Sequence, residues 1–161
     1  MNTESSHEII ENLNFCVIDL ETTGGNHAKD KIIEVGMVKL NGTKITETKS
    51  FLINPEMQIP DFIQKLTGIS QKSVKSADII ENLIDEIVEF IDDDILVAHN
   101  TSFDVPFLNG TLRKLDRPEL ENRVICTNVM TKHLIPEILN SQDETGELVQ
   151  CVRLNGSFLN D

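Results

Sequence analysis

The stretch Phe15-Cys16-Val17-Ile18-Asp19-Leu20-Glu21-Thr22-Thr23-Gly24 decides how this chain is read. Its compact apolar run, Phe15 to Leu20, predicts a buried strand that runs out into the polar stretch Thr22 to Asp30. Asp19 and Glu21 stand two residues apart at the end of that strand, so both side chains point to one face. Two carboxylates so close repel, and each raises the other's pKa unless a cation or hydrogen-bond donors intervene. Alone, Asp-x-Glu is a weak signal for a metal site. Its neighbours decide its value.

Outward from the first strand, Lys31 to Leu40 reads as a second strand, and Asn41-Gly42 is a strong two-residue hairpin signal. Thr43 to Ile53 returns as an antiparallel third strand, closed by Pro55. Asp61 to Leu66 predicts a short helix followed by a Thr67-Gly68-Ile69 turn, and Ser76 is read as the N-cap of a helix running to Ile91. Ile80, Ile84, Val88 and Ile91 give that helix its apolar stripe, reinforced by Leu83 and Ile87. A short buried strand, Ile95 to Ala98, precedes a helix from about Ser102, with Pro106 expected in or next to its first turn. Arg123 to Cys126 reads as a fifth strand and Val129 to Leu139 as a further helix. A meander followed by alternating helices and strands predicts an α/β protein: a mixed five-stranded sheet flanked by helices.

The 161 residues are one domain's worth, with 27 acidic against 14 basic side chains and a formal net charge of -13. That balance excludes a general duplex-coating protein, which needs clustered Lys and Arg, and adhesion to an anionic membrane surface. Ser76 to Asp94 alone carries eight acidic residues and no basic one, on what reads as the solvated face of a helix. With three more charges on the carboxylates discussed below, only -2 is left for the rest of the chain. Acidity therefore does not argue against a nucleic-acid substrate. No apolar run approaches the roughly 18 residues of a membrane span, and the start lacks a signal peptide's basic and apolar blocks. Cys16, Cys126 and Cys151 show no metal-type pairing, so a reduced, cytoplasmic protein is expected.

A second group of residues changes the odds for Asp19 and Glu21. His99-Asn100 closes the Ile95–Ala98 strand, and Phe103-Asp104 follows on the first turn of the next helix. A carboxylate at a helix start can face carboxylates at a neighbouring strand end, and three oxygen donors meeting there suit Mg²⁺ or Mn²⁺. Phe15 to Gly24 resembles the first motif of the DEDD 3′–5′ exonucleases, and Leu96-Val97-Ala98-His99-Asn100-Thr101-Ser102-Phe103-Asp104 resembles their second. Lys31-Ile32-Ile33-Glu34-Val35-Gly36 and Leu66-Thr67-Gly68-Ile69 are similar to the same family, in the order of its proofreading epsilon-subunit branch.

The resemblance implies a ribonuclease H-like fold and two-metal phosphodiester hydrolysis at the single-stranded or frayed 3′ end of DNA, with RNA open as the polymer. It implies metal-binding and catalytic roles for Asp19, Glu21 and Asp104, with two Mg²⁺ or Mn²⁺ ions in the complete site. Leu20, Thr22 and Thr23 would lie against the 3′-terminal nucleotide, Leu66 would wedge near the last base, and Phe103 would back the pocket. Asn100 is expected either to touch substrate or to orient its loop. Leu66 and Phe103 are equally readable as plain core residues. Lys65, Lys72 and Lys75 flank the wedge and could take backbone phosphates, although solvated lysines are commoner. A polymerase subunit is the partner the resemblance suggests.

The family's third motif, His-x-Ala-x-x-Asp, supplies its general base and fourth metal ligand, and this sequence has none. His133 fails the spacing test, with Glu137 at four residues and Ile138 at five; His99 reads as a supporting residue, and Asp143 and Asp161 have no pattern behind them. Residues 1–13 are expected to be a polar extension, 14–140 the exonuclease-like domain without the family's last helices, and 141–161 a polar break with an incomplete end. Two functions follow: a 3′–5′ exonuclease, weakened by the missing motif, or a catalytically deficient module that binds nucleic-acid ends or a polymerase. A phosphate-binding module at Thr23-Gly24-Gly25 is excluded, because no Gly-x-Gly-x-x-Gly or Gly-Lys-Ser/Thr pattern is present.

Overall fold

In the computed structural model, which describes residues 10–134, the first strand lies at the centre of everything else. β1 (Asn14–Thr22) pairs antiparallel with β2 (Ile32–Asn41), and β2 pairs antiparallel with β3 (Lys44–Leu52). On its other edge β1 pairs in parallel with β4 (Ile95–Ala98), which pairs in parallel with β5 (Val124–Cys126). The mixed five-stranded order is β3-β2-β1-β4-β5. The β2–β3 turn is a hairpin as expected, but its two loop residues are Gly42 and Thr43, because Asn41 still pairs with Lys44. Gly42 sits at φ 59°, in the left-handed region where a Cβ is costly.

The helices are α1 (Asp61–Thr67), α2 (Gln71–Val74), α3 (Ile80–Ile91), α4 (Thr101–Lys114) and α5 (Thr127–Leu134). Cys16, Ile18 and Leu20 alternate along β1 into the main core. There they meet Val35 and Met37 of β2, Ile84, Ile87, Phe90 and Ile91 of α3, and Phe107, Leu108 and Leu112 of α4. Burial pushes the Cys16 thiol up to about 12, with Asp94 adding to the shift and Lys39 opposing it, so this cysteine behaves as a small core residue. A second cluster, Ile33, Ile59, Ile63, Ile69 and Val74, pins α1 and α2 beside the sheet.

One expectation here fails for a local reason. Ser76 is not the cap of α3, which starts at Ile80 with Ile79 extended before it. The serine chemistry acts earlier: Ser70 and Ser73 form a reciprocal capping box, each side chain taking the other's backbone N–H at 3.0 Å, and this creates α2. The chain between α2 and α3 then runs past β3, where the Asn54 N–H donates to the Asp78 carbonyl. Pro106 is the sixth residue of α4, next to its first turn as expected. Buried Phe107, Leu108 and Leu112 hold the helix through it. The expected end of the last helix at Leu139 lies outside the described residues. No described helix is long and apolar enough to cross a membrane.

Candidate active site

Asp19 and Glu21 project from the face of β1 opposite to Ile18 and Leu20. Across the β1–β2 pair, Gly36 lies opposite Asp19, so no side chain stands beside it there, and Glu34 lies opposite Glu21. β4 runs parallel to β1 on the other side, and His99, directly after β4, is close enough for its charge to act on Asp19. Asp104 enters from the first turn of α4, and the Leu20 N–H donates to its Oδ1 at 3.2 Å. That bond, between residues 84 apart in sequence, stitches the helix start to the strand end.

The electrostatics show how tightly these groups are coupled. Asp104 is only 6% exposed. Burial pushes its pKa up to about 7, and the negative charges of Asp19 and Glu21 push in the same direction, while the N–H groups of Leu20 and of Asp104 itself pull it down. The Asp19 carboxylate reaches solvent, but protein crowds its surroundings; this loss of hydration raises its pKa, and His99 lowers it. Glu34 is raised by burial and by Asp19, against a hydrogen bond donated by Ser50. Sequence reasoning missed Glu34 as part of this neighbourhood. The signal that exposes it is cross-strand register, which sets it opposite Glu21.

The other expected site residues divide by where they point. Leu20 turns into the core, 5% exposed, and offers the site its backbone N–H. Thr22 and Thr23 are buried and hold the turn after β1. The Thr22 hydroxyl donates to the Gly24 carbonyl at 2.7 Å, and Thr23 Oγ1 accepts from the Lys31 N–H at 3.0 Å. A Cβ at Gly24 would stand 2.6 Å from the Asp30 carboxylate, so a larger residue here would have to push that side chain aside. Asn100 organises the start of α4: its carbonyl accepts from the Phe103 N–H, and its Oδ1 accepts from the Ser102 hydroxyl at 2.6 Å. Phe103 is half-buried, packed on the main core with its ring 5.5 Å from that of Phe107. Leu66 is 61% exposed on α1 and is no core residue. The His99 ring is bonded to the Thr127 hydroxyl. The His133 ring is bonded to the Val129 carbonyl of its own helix. Asp143 and Asp161 lie outside the described residues.

Among the described residues, no group of three or more His, Cys, Asp or Glu side chains is placed to hold a metal ion. By chemical type, Asp19, Glu21 and Asp104 offer the carboxylate oxygens that a hard divalent cation takes, and the charges of Asp19 and Glu21 add to the rise that burial gives Asp104.

A family model described as "Exonuclease" matches residues 16–153. The chain belongs to this exonuclease family. Two relatives sharpen the placement. The exonuclease-family chain is 40% identical, over 131 residues, to the PolC-type DNA polymerase III of Caldanaerobacter subterraneus subsp. tengcongensis, a match covering 81% of this chain and 9% of that protein. It is 37% identical over 142 residues to the PolC-type DNA polymerase III of Bacillus subtilis, covering 88% of this chain and 10% of that protein. The chain thus spans about a tenth of the length of these curated relatives. Among solved structures it is similar to exonuclease X in complex with 5′ overhanging duplex DNA, at TM-score 0.58 and 27% identity, covering 76% of this chain and 64% of that one. It is also similar to a product-bound exonuclease I, at TM-score 0.69 and 16% identity, covering 78% and 33%. The fold is ribonuclease H-like, as the motifs imply.

Proposed function

We propose that this exonuclease-family chain is a divalent-metal-dependent 3′–5′ exonuclease that hydrolyses the last phosphodiester of a single-stranded or frayed DNA 3′ end. The observation that carries the reading is the burial of Asp104 at the end of β1, where the Leu20 N–H holds it; burial, with the charges of Asp19 and Glu21 adding to it, pushes its pKa up to about 7. Asp19, Glu21 and Asp104 would hold Mg²⁺ or Mn²⁺. When bound, such ions lower the pKa of an attacking water and stabilise the leaving 3′ oxygen.

The protein groups do the rest. The Leu20 N–H fixes one oxygen of Asp104, so the carboxylate is held in place before any ligand arrives. Thr22, Thr23 and Gly24 hold the turn beside the strand end, where the terminal nucleotide would lie. Leu66, exposed on α1, would lie against the last base, and Phe103, half-buried on α4, would back the pocket. Likeness to PolC-type DNA polymerase III supports DNA as the polymer, replication as the setting and a polymerase as the partner. Residues 14–140 are the unit to which this activity is assigned.

A second reading is a module that binds 3′ ends without cutting them; it is favoured by the lack of a His-x-Ala-x-x-Asp sequence. General base catalysis of the kind that motif supplies is worth about 10²–10⁴-fold. One experiment separates the two. A single strand labelled at either end is incubated with Mn²⁺ and the wild-type or Asp19→Ala chain. Stepwise loss from the 3′ end that disappears in Asp19→Ala supports the exonuclease; binding with no shortening supports the module.

A further inference from the structure

We propose that Phe62 is a base-stacking residue that takes the base next to the 3′-terminal one, on the same helix facet that presents Leu66. The inference rests on the exonuclease reading above for its substrate and on separate observations for its residue. Phe62 is 66% exposed, and Met57 also shows its side chain. Among the described residues Phe62 is the one aromatic ring among the exposed large apolar side chains, and it shares its helix with exposed Leu66. Phe62 and Leu66 are one turn apart on α1, about 40° from each other around its axis and about 6 Å along it. That step exceeds the 3.4 Å spacing of stacked bases in a strand and suits bases opened onto side chains.

The facet is held rigidly in this exposed position. Ile63, the next residue round the helix, is buried in the second cluster. Gln64 donates to the Ile59 carbonyl at 3.0 Å and accepts from the Gln71 N–H at 2.9 Å, while Gly68 closes α1 in the left-handed conformation. Met57 Sδ lies 3.8 Å from Thr23 Oγ1, which joins this segment to the turn at the end of β1.

Charge identifies the occupant. Residues 61–75 carry Lys65, Lys72 and Lys75 against Asp61, a local balance of +2 in a chain of -13. Among the described residues none of these three lysines is in an ion pair. An aromatic ring and an aliphatic side chain flanked by free cations make a surface for single-stranded nucleic acid: bases stack on the apolar groups, and phosphates meet the lysines.

The test uses a strand of about a dozen nucleotides carrying 2-aminopurine at the terminal or at the penultimate 3′ position, in Ca²⁺ to hold off hydrolysis. With the wild-type chain and Phe62→Tyr, the penultimate probe is quenched on binding. Phe62→Ala abolishes that quenching, leaves the terminal probe's response intact and weakens binding roughly tenfold to a hundredfold. The proposal is overturned if Phe62→Ala binds as tightly as wild type, or if both probes lose their response together. The exonuclease reading fails separately. A chain that needs Phe62 to bind but releases no nucleotide in Mn²⁺ breaks that reading alone, and one that cuts while indifferent to Phe62 breaks this one alone.

Discussion

The acidic face of α3 and the carboxylates at the end of β1 carry the same chemical group and behave in opposite ways. On α3, Asp85 is exposed; hydrogen bonding from Arg117, together with its positive charge, holds its carboxyl below the usual range. Glu86 is exposed too and takes a hydrogen bond from Lys49 at 2.8 Å. At the strand end, Asp104 is buried with two carboxylates for neighbours, and its pKa rises to about 7. A carboxylate in water keeps its charge at little cost, whereas one held beside others out of water favours neutralisation, by a proton or by a cation. Net charge counts the two alike.

The largest effect that tests this contrast is on hydrolysis. Asp19→Ala is expected to lower the rate of nucleotide release by about 10²–10³-fold or more, the usual cost of losing one preorganised electrostatic group, measured with an end-labelled strand in Mn²⁺. Retained activity would remove the strand end from the reaction.

Next comes the buried face of the helix whose outer face is acidic. Ile87→Ala is expected to cost about 2–5 kcal/mol by denaturant unfolding, because Ile87 is fully buried against the sheet. A cost below about 0.5 kcal/mol, the range of ordinary surface changes, would mean that α3 is not packed as described.

The third test is a pH slope without metal. Asp104 has a folded pKa of about 7 against an ordinary 3.8, so between those values the folded state binds more protons than the unfolded one. Its contribution is therefore fully present below about pH 4 and lost as the pH rises to 7, a fall of a few kcal/mol at most. Unfolding of wild type and Asp104→Asn in EDTA should show the wild type losing stability across that window relative to the variant. Added Mg²⁺ should restore stability to the wild type only. Parallel pH profiles would contradict the placement of Asp104.

The smallest effect belongs to α3's surface. Asp85→Asn removes an exposed ion pair with Arg117 and is expected to leave both melting temperature and hydrolysis essentially unchanged, because solvent already screens the pair. A loss of activity there would erase the distinction between the two regions.

Much of the fold was legible where a local rule acts alone. Ile95–Ala98 reads directly as a strand because a short apolar run lies between Asp94 and the polar His99-Asn100. The hairpin after β2 is announced by Asn41-Gly42, although the strand pairing moves the loop one residue on. Ser76 misled because several serines near a helix start are alike in sequence; Ser70 wins through the reciprocal bonds that Ser73 makes possible. Leu66 could be read as core or wedge, and its exposure decides for the surface. Phe62 beside Ile63 could not be ranked from sequence, because both are large and apolar and only the docking of α1 on the second cluster sets which one turns inward.

By itself, then, the sequence determined a mixed sheet, its central strand, and a family pattern in which Asp19, Glu21 and Asp104 are the residues to watch. The sheet and its central strand depend on apolar patterning within single segments, and the three carboxylates on the resemblance of two separate motifs to the family. Only the tertiary structure decided that Asp104 meets the Leu20 N–H across 84 residues, that Glu34 joins the same neighbourhood through its register with Glu21, and that Phe62 and Leu66 face outward together. The physical reason is common to all three. Burial and Coulomb interaction depend on distances between groups far apart in the chain, and those distances exist only once the sheet has paired and the helices have packed on it.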